Sequence, residues 1–179
     1  MNGVKFPIFP FEEVRTRFEA GILSFLNSES KLFAARIGER TMCAHLAEHL
    51  KRTFAPWDAD FDYDAFGDIR KRSPIASRKR TKNPQRHLVT PDIIVHNPLH
   101  PLENLLAIEA KPEDDRRGTA ADREKLRSYQ GLPLSYPYVA VLILTATKEP
   151  VCRYELFHAG ENPQNAKPSI MLTGAPYRE

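Results

Sequence analysis

The chain has 179 residues, a hydrophobic fraction of 41%, a charged fraction of 27% and a formal net charge of +3. Those values fit one soluble domain spanning 1–179, large enough to pack helices on a sheet, with a mild lean towards anionic partners. Two cysteines, Cys43 and Cys152, exclude a disulfide scaffold. No apolar run approaches bilayer length, and no N-terminal stretch joins a basic start to an apolar core. The expectation is a cytoplasmic protein with no membrane partner.

Residues 1–10 carry Pro7 and Pro10 and read as an extended lead-in. Phe11, Val14, Phe18, Ile22, Phe25 and Leu26 then recur at helical spacing, predicting an amphipathic first helix. A second helical region is expected over 29–54, with Leu32, Cys43, Leu46 and Leu50 on one stripe. At about 100° per residue, Glu39 falls within roughly 40° of Cys43, Leu46 and Leu50. Glu39 therefore either points towards the sheet as a functional carboxylate or, if Gly38 breaks the helix, sits at a solvated helix start. The same region holds His45-Leu46-Ala47-Glu48-His49, an H-x-x-E-H pattern like that of inverted zincins. Its histidines are expected to flank the polar side of the helix with Glu48 facing away, which leaves zinc hydrolysis through His45, Glu48 and His49 a minor alternative.

Residues 58–66 alternate acidic and apolar side chains, a period-2 pattern for a short strand. Asp58, Asp60, Asp62 and Asp64 share a face there, and would repel unless solvated or near a cation. Asp62 is the one to watch. Over the basic loop 67–87, Arg70, Lys71, Arg72, Arg78, Lys79, Arg80, Lys82 and Arg86 occur without one acidic residue after Asp68. Ser, Thr, Asn and Pro fill the gaps, so the stretch reads as a mobile arm suited to a polyanion.

Pro91-Asp92-Ile93-Ile94-Val95 and Leu105-Leu106-Ala107-Ile108-Glu109-Ala110-Lys111 both read as strands. Asn97-Pro98 and Pro101 between them are turn signals, so the two are expected to pair. Glu109 and Lys111 share a strand face. Two carboxylates and an ammonium at the ends of adjacent buried strands are costly without a purpose, and a divalent metal supplies one. A helix from Thr119 or Asp122 to Gln130 follows, with Leu126 and Tyr129 inward and Lys125 and Arg127 adding basic character. Residues 139–144 form an apolar run expected to be buried on both faces, 153–157 an outer strand, and 169–172 a short strand in a proline-rich tail.

The order helix, strand, strand, strand, helix, strand, with Pro91-Asp92 and Glu109-Ala110-Lys111 on the second and third strands, resembles the PD-(D/E)XK nuclease superfamily. The match covers about 30–158, with Glu39 at the place of the acid many members carry on the first core helix. The resemblance implies an α/β, restriction-endonuclease-like αβββαβ core, a central mixed sheet flanked by helices, here with an extra N-terminal helix. It implies Mg²⁺- or Mn²⁺-dependent hydrolysis of nucleic acid by an endonuclease, with DNA favoured as substrate and RNA left open. By the same resemblance Asp92, Glu109 and the Ala110 carbonyl hold the metal, Lys111 contacts the attacking water and the phosphate, and Glu39 holds a water or second ion. Hard oxygen ligands suit Mg²⁺, which screens a phosphate and orients a water. Many members pair to cut two strands, which leaves a homodimer open. The alternative is a domain of the same fold that binds nucleic acid or a partner without turnover.

Overall fold

The computed structural model describes residues 9–63, 65–66, 69–70, 73–74, 88–100, 103–113, 119–131, 134–145, 147, 149–163, 165 and 168–177. The fold is α/β, a six-stranded mixed sheet with helices on both faces. No described helix is long and apolar enough to cross a membrane.

Helix α1 spans Phe11–Ser28 and buries Val14, Phe18, Ile22, Phe25 and Leu26, the stripe its periodicity predicts. Glu12 and Glu13 in its first turn complement the helix dipole. The second helical region is two helices, not one: α2 at Ser30–Ala34 and α3 at Glu39–Phe54. Arg36 takes a left-handed φ of 50° and Gly38 precedes the first turn of α3, so the chain turns between them. Leu32 consequently belongs to a separate helix from Cys43, Leu46 and Leu50. Arg17 of α1 donates to the Thr53 carbonyl at 2.7 Å, tying α1 to the end of α3.

The sheet is built from β1 (Asp58–Phe61), β6 (Ile93–His96), β7 (Asn104–Pro112), β8 (Tyr138–Thr145), β9 (Val151–His158) and β10 (Ile170–Thr173), in that spatial order. Four shorter strands lie between β1 and β6 in the chain: β2 (Ala65–Phe66) pairs with β3 (Ile69–Arg70), and β4 (Ser73–Pro74) with β5 (Leu88–Val89). The two motif strands pair antiparallel with Ile93 opposite Ile108. Strand β7 then pairs parallel with β8, which requires a crossover, supplied by α4 (Thr119–Gln130). Ile93, Val95, Leu106, Ile108 and Ala110 face α1 and α3, whereas Ile94, Ala107, Val139 and Val141 face Leu126 and Tyr129 of α4. Alternation along the strands thus sends one side-chain set into each layer.

Three local expectations change. The strand read over 58–66 ends at Phe61, because Asp62 takes φ 51° and the next strand residues belong to the β2–β3 pair. Three of its aspartates have partners: Lys51 sits 2.7 Å from Asp58, His96 sits 2.8 Å from Asp60, and Arg40 pairs with Asp62, while Asp64 lies outside the described residues. The basic stretch 67–87 is not loop throughout, since β3 and β4 lie in its first part, and β5 follows directly after it. Strand β9 is interior and β10 forms the edge beside it.

Gly174 closes that edge against α1. A methyl group there would sit 2.6 Å from Leu26 Cβ and 2.9 Å from the Leu26 backbone. Gly174→Ala is therefore expected to destabilise the protein by about 1–3 kcal/mol, read by urea unfolding. An unchanged midpoint would mean that α1 does not close on β10.

Candidate functional site

The site forms at one rim of the sheet, where β6 begins and β7 ends. Asp92 precedes β6, one step beyond the Ile93–Ile108 pair, and so stands level with Glu109. Its Oδ2 accepts the Ala110 amide at 2.8 Å, which fixes the carboxylate beside β7. Glu109 is 0% exposed. Lys111, two residues on, shares its face by strand alternation and is half-buried. Glu39 reaches the same rim from the other face of the sheet, as the first residue of α3. Gly38 does break the helix, yet the carboxylate still lies within electrostatic reach of Asp92 and Lys111. Glu39 is thus a helix start that also lies beside the rim cluster.

Glu109 is fully buried, whereas Asp92 and Glu39 keep part of their surface exposed. Burial pushes the Glu109 carboxyl up to about 7, with the Asp92 charge adding to the rise and Lys125 and Tyr129 opposing it. Burial also raises Asp92, against the Ala110 amide and the Lys125 and Lys111 charges. Glu39 is raised by burial, with Lys111 opposing and Asp92 adding. The Cys43 thiol, one turn along α3 from Glu39, is pushed up to about 12 by burial and by the Asp92 and Glu39 charges.

The ammonium bonded to Glu109 is not that of Lys111. Lys125 of α4 bonds Glu109 Oε2, and Tyr129 O–H donates to Oε1 at 2.7 Å. Asp122 is buried one turn before Lys125, with Oδ1 3.4 Å from its ammonium. A signal for this trio was present: Asp122, Lys125 and Tyr129 recur at i, i+3 and i+7, one helix face. Reading Lys125 as general basic character overlooked that face.

Glu39 separates two clefts. One, of about 210 Å³, is lined by Arg40, Cys43, Phe61, Asp62, Thr90, Pro91 and Asp92 along with Glu39. The other, of about 450 Å³, runs past Arg36, Gly38, Pro112, Glu113, Thr145 and Thr147. Asp62 adjoins the site through its backbone, its N–H donating to the Asp92 carbonyl at 3.0 Å. Its carboxylate is committed to Arg40.

Of the basic residues, Arg70 lies in β3, where its backbone pairs with Ala65. Lys71, Arg72, Arg78, Lys79, Arg80, Lys82 and Arg86 lie outside the described residues. The β4 backbone, at the near end of that stretch, packs beside α4.

The H-x-x-E-H histidines do not converge with Glu48. His49 is not on a polar face: it is buried between α1 and α3, bonded to Ser24 Oγ at 2.9 Å through Nδ1. His45 lies 3.4 Å from Glu29, while Glu48 is exposed. Among the described residues no group of three or more His, Cys, Asp or Glu side chains is arranged to hold a metal ion. The rim offers two carboxylates at the expected positions, Asp92 and Glu109, with Ala110 between. Their donor chemistry fits Mg²⁺ or Mn²⁺, which take hard oxygens and keep several waters. The mutual repulsion of Asp92 and Glu109 in a buried setting is what a divalent cation relieves.

Compared with protein-family models, curated proteins and solved structures, the chain matches none.

Proposed function

We propose that the protein is a metal-dependent nuclease of the PD-(D/E)XK type, with a restriction-endonuclease-like core and Asp92, Glu109, Lys111 and Glu39 as its catalytic set. The supporting observation is convergence: side chains from the residue before β6, from β7 and from the start of α3 gather at one partly buried rim whose carboxylates repel one another. Asp92 and Glu109, with the Ala110 carbonyl, are the residues that would hold Mg²⁺ or Mn²⁺. When bound, such an ion screens the phosphate and lowers the pKa of a coordinated water. Lys111 would balance negative charge gathering on the phosphate, a role that suits a compact ammonium on a strand end. Glu39 would orient a water from the opposite face of the sheet. The two clefts beside Glu39 give an extended chain room to pass on either side of the rim. The basic stretch between β4 and β5 would contact the phosphate backbone of DNA.

One observation favours a second reading, a binding module without turnover: both oxygens of Glu109 are already engaged, by Lys125 and Tyr129. Incubation of the purified chain with plasmid and single-stranded DNA separates the two. The nuclease reading expects cleavage with Mg²⁺ or Mn²⁺ and none in EDTA. Salt-sensitive DNA binding that EDTA leaves unchanged, with substrate intact under every metal, supports the binding module instead.

A further inference from the structure

We propose that Lys125 is a two-position latch, its ammonium standing in for the divalent cation at Glu109 and passing to Asp122 when that cation binds. The proposal rests on the nuclease reading of the rim and adds a positioning residue to it. Three features carry it. First, Tyr129 holds Glu109 Oε1 at 2.7 Å while Lys125 holds Oε2, so one oxygen stays oriented as the other changes partner. Second, Asp122 is a receptor already in place: it is 2% exposed, its Oδ1 is 3.4 Å from the Lys125 ammonium, and its Oδ2 is buried without a hydrogen-bond partner. A buried carboxylate oxygen left unpaired is costly, and a flexible ammonium with three donors is the group that relieves it. Third, the charges balance. Among the described residues the cluster sets Glu39, Asp92, Glu109 and Asp122 against Lys111 and Lys125. With every group ionised, two negative charges remain, the complement of one divalent cation.

In this arrangement the latch keeps a buried, multiply acidic rim from standing uncompensated when no metal is bound. It also sets the metal affinity, because an arriving cation must displace Lys125 from Oε2. Asp122 lowers the cost of that displacement without touching the metal.

Calorimetric titration of the metal-free full chain with MnCl₂ alone tests this. Lys125→Gln is expected to bind Mn²⁺ roughly tenfold more tightly than the wild type, within the range that partners of metal-binding side chains exert. Asp122→Asn is expected to bind about tenfold more weakly, and the double variant to match Lys125→Gln. Asp122 acting only as a distant charge would weaken binding equally in both backgrounds, which overturns the latch. So does Lys125→Gln binding no more tightly than wild type, or Asp122→Asn binding as well as wild type. Where Lys125→Gln does not fold, Lys125→Met takes its place in the same two-background comparison, and Lys125→Arg, which keeps a cation, is expected to retain weak binding. Absence of Mn²⁺ binding in both the wild type and a folded Lys125→Gln contradicts the metal site itself, and the latch with it.

Discussion

Asp92→Asn is expected to lower Mg²⁺-dependent DNA cleavage on the order of 10³-fold while leaving the protein folded. The substitution is chosen for its shape. Asp92 Oδ2 accepts the Ala110 amide at 2.8 Å, and an asparagine carbonyl can take that bond over. What it cannot supply is the negative charge beside Glu109. Lys111→Ala is expected to lose about 10²–10³-fold as well, because the proposed mechanism uses its ammonium to offset charge on the phosphate. Lys111 is half-buried at the end of β7, so the fold of the variant is checked alongside its rate. Single-turnover cleavage of labelled DNA gives both numbers. Wild-type rates in either variant, with circular dichroism unchanged, would remove these residues from the reaction.

The second large effect concerns pH. With the Glu109 carboxyl raised to about 7, a proton would compete with the proposed metal for the same oxygens. Mn²⁺ affinity is expected to be flat above about pH 8 and to fall about tenfold per unit well below 7. The same proton is linked to folding in the absence of metal. Between the ordinary value of 4.5 and about 7, the folded chain keeps the Glu109 proton and the unfolded chain has lost it. Stability from this group is therefore complete below about 4.5 and disappears as pH rises through 7. A rise from 4.5 to about 7 corresponds to about 3–4 kcal/mol, at roughly 1.4 kcal/mol per pH unit. His49 works the other way, since burial lowers its pKa and stability gains as pH rises through its range. Comparison with Glu109→Gln cancels that contribution. In EDTA, the wild type is expected to lose more stability than Glu109→Gln between pH 4.5 and 8, by denaturant unfolding at each pH. Parallel pH profiles for the two proteins would show that Glu109 is ionised throughout.

Much of the fold was legible because its strongest patterns are local. The α1 stripe, the Asp92 and Glu109–Lys111 strands and the buried run of β8 each follow from the spacing of apolar residues. The edge strand β10 was visible from four residues, Ser169 to Leu172, within one position of its observed span. What local spacing could not convey was which charged groups would meet. Lys51 and Arg40 from the two ends of α3, and His96 from β6, each take one aspartate of the 58–62 segment. That selection depends on tertiary placement, and an alternating sequence reads as a solvated face without it. The break between α2 and α3 had a local signal in Gly38, but the left-handed φ at Arg36 did not. His49 was misplaced for a related reason. Angles around α3 put it off the sheet-facing stripe, correctly, but α1 covers that flank and buries it. In the rim itself, the motif residues were readable from type and spacing. Lys125 was not, because an ammonium on an amphipathic helix normally faces water, and only the Asp122–Lys125–Tyr129 register marks it as inward.

The most direct measurement is a crystal of the protein soaked in Mn²⁺, read by anomalous scattering at the manganese edge. An anomalous peak between the Asp92 and Glu109 carboxylates, with the Lys125 ammonium moved onto Asp122, is the predicted result. Saturating Mn²⁺ that leaves no peak at the rim, with Lys125 still bonded to Glu109, would contradict it.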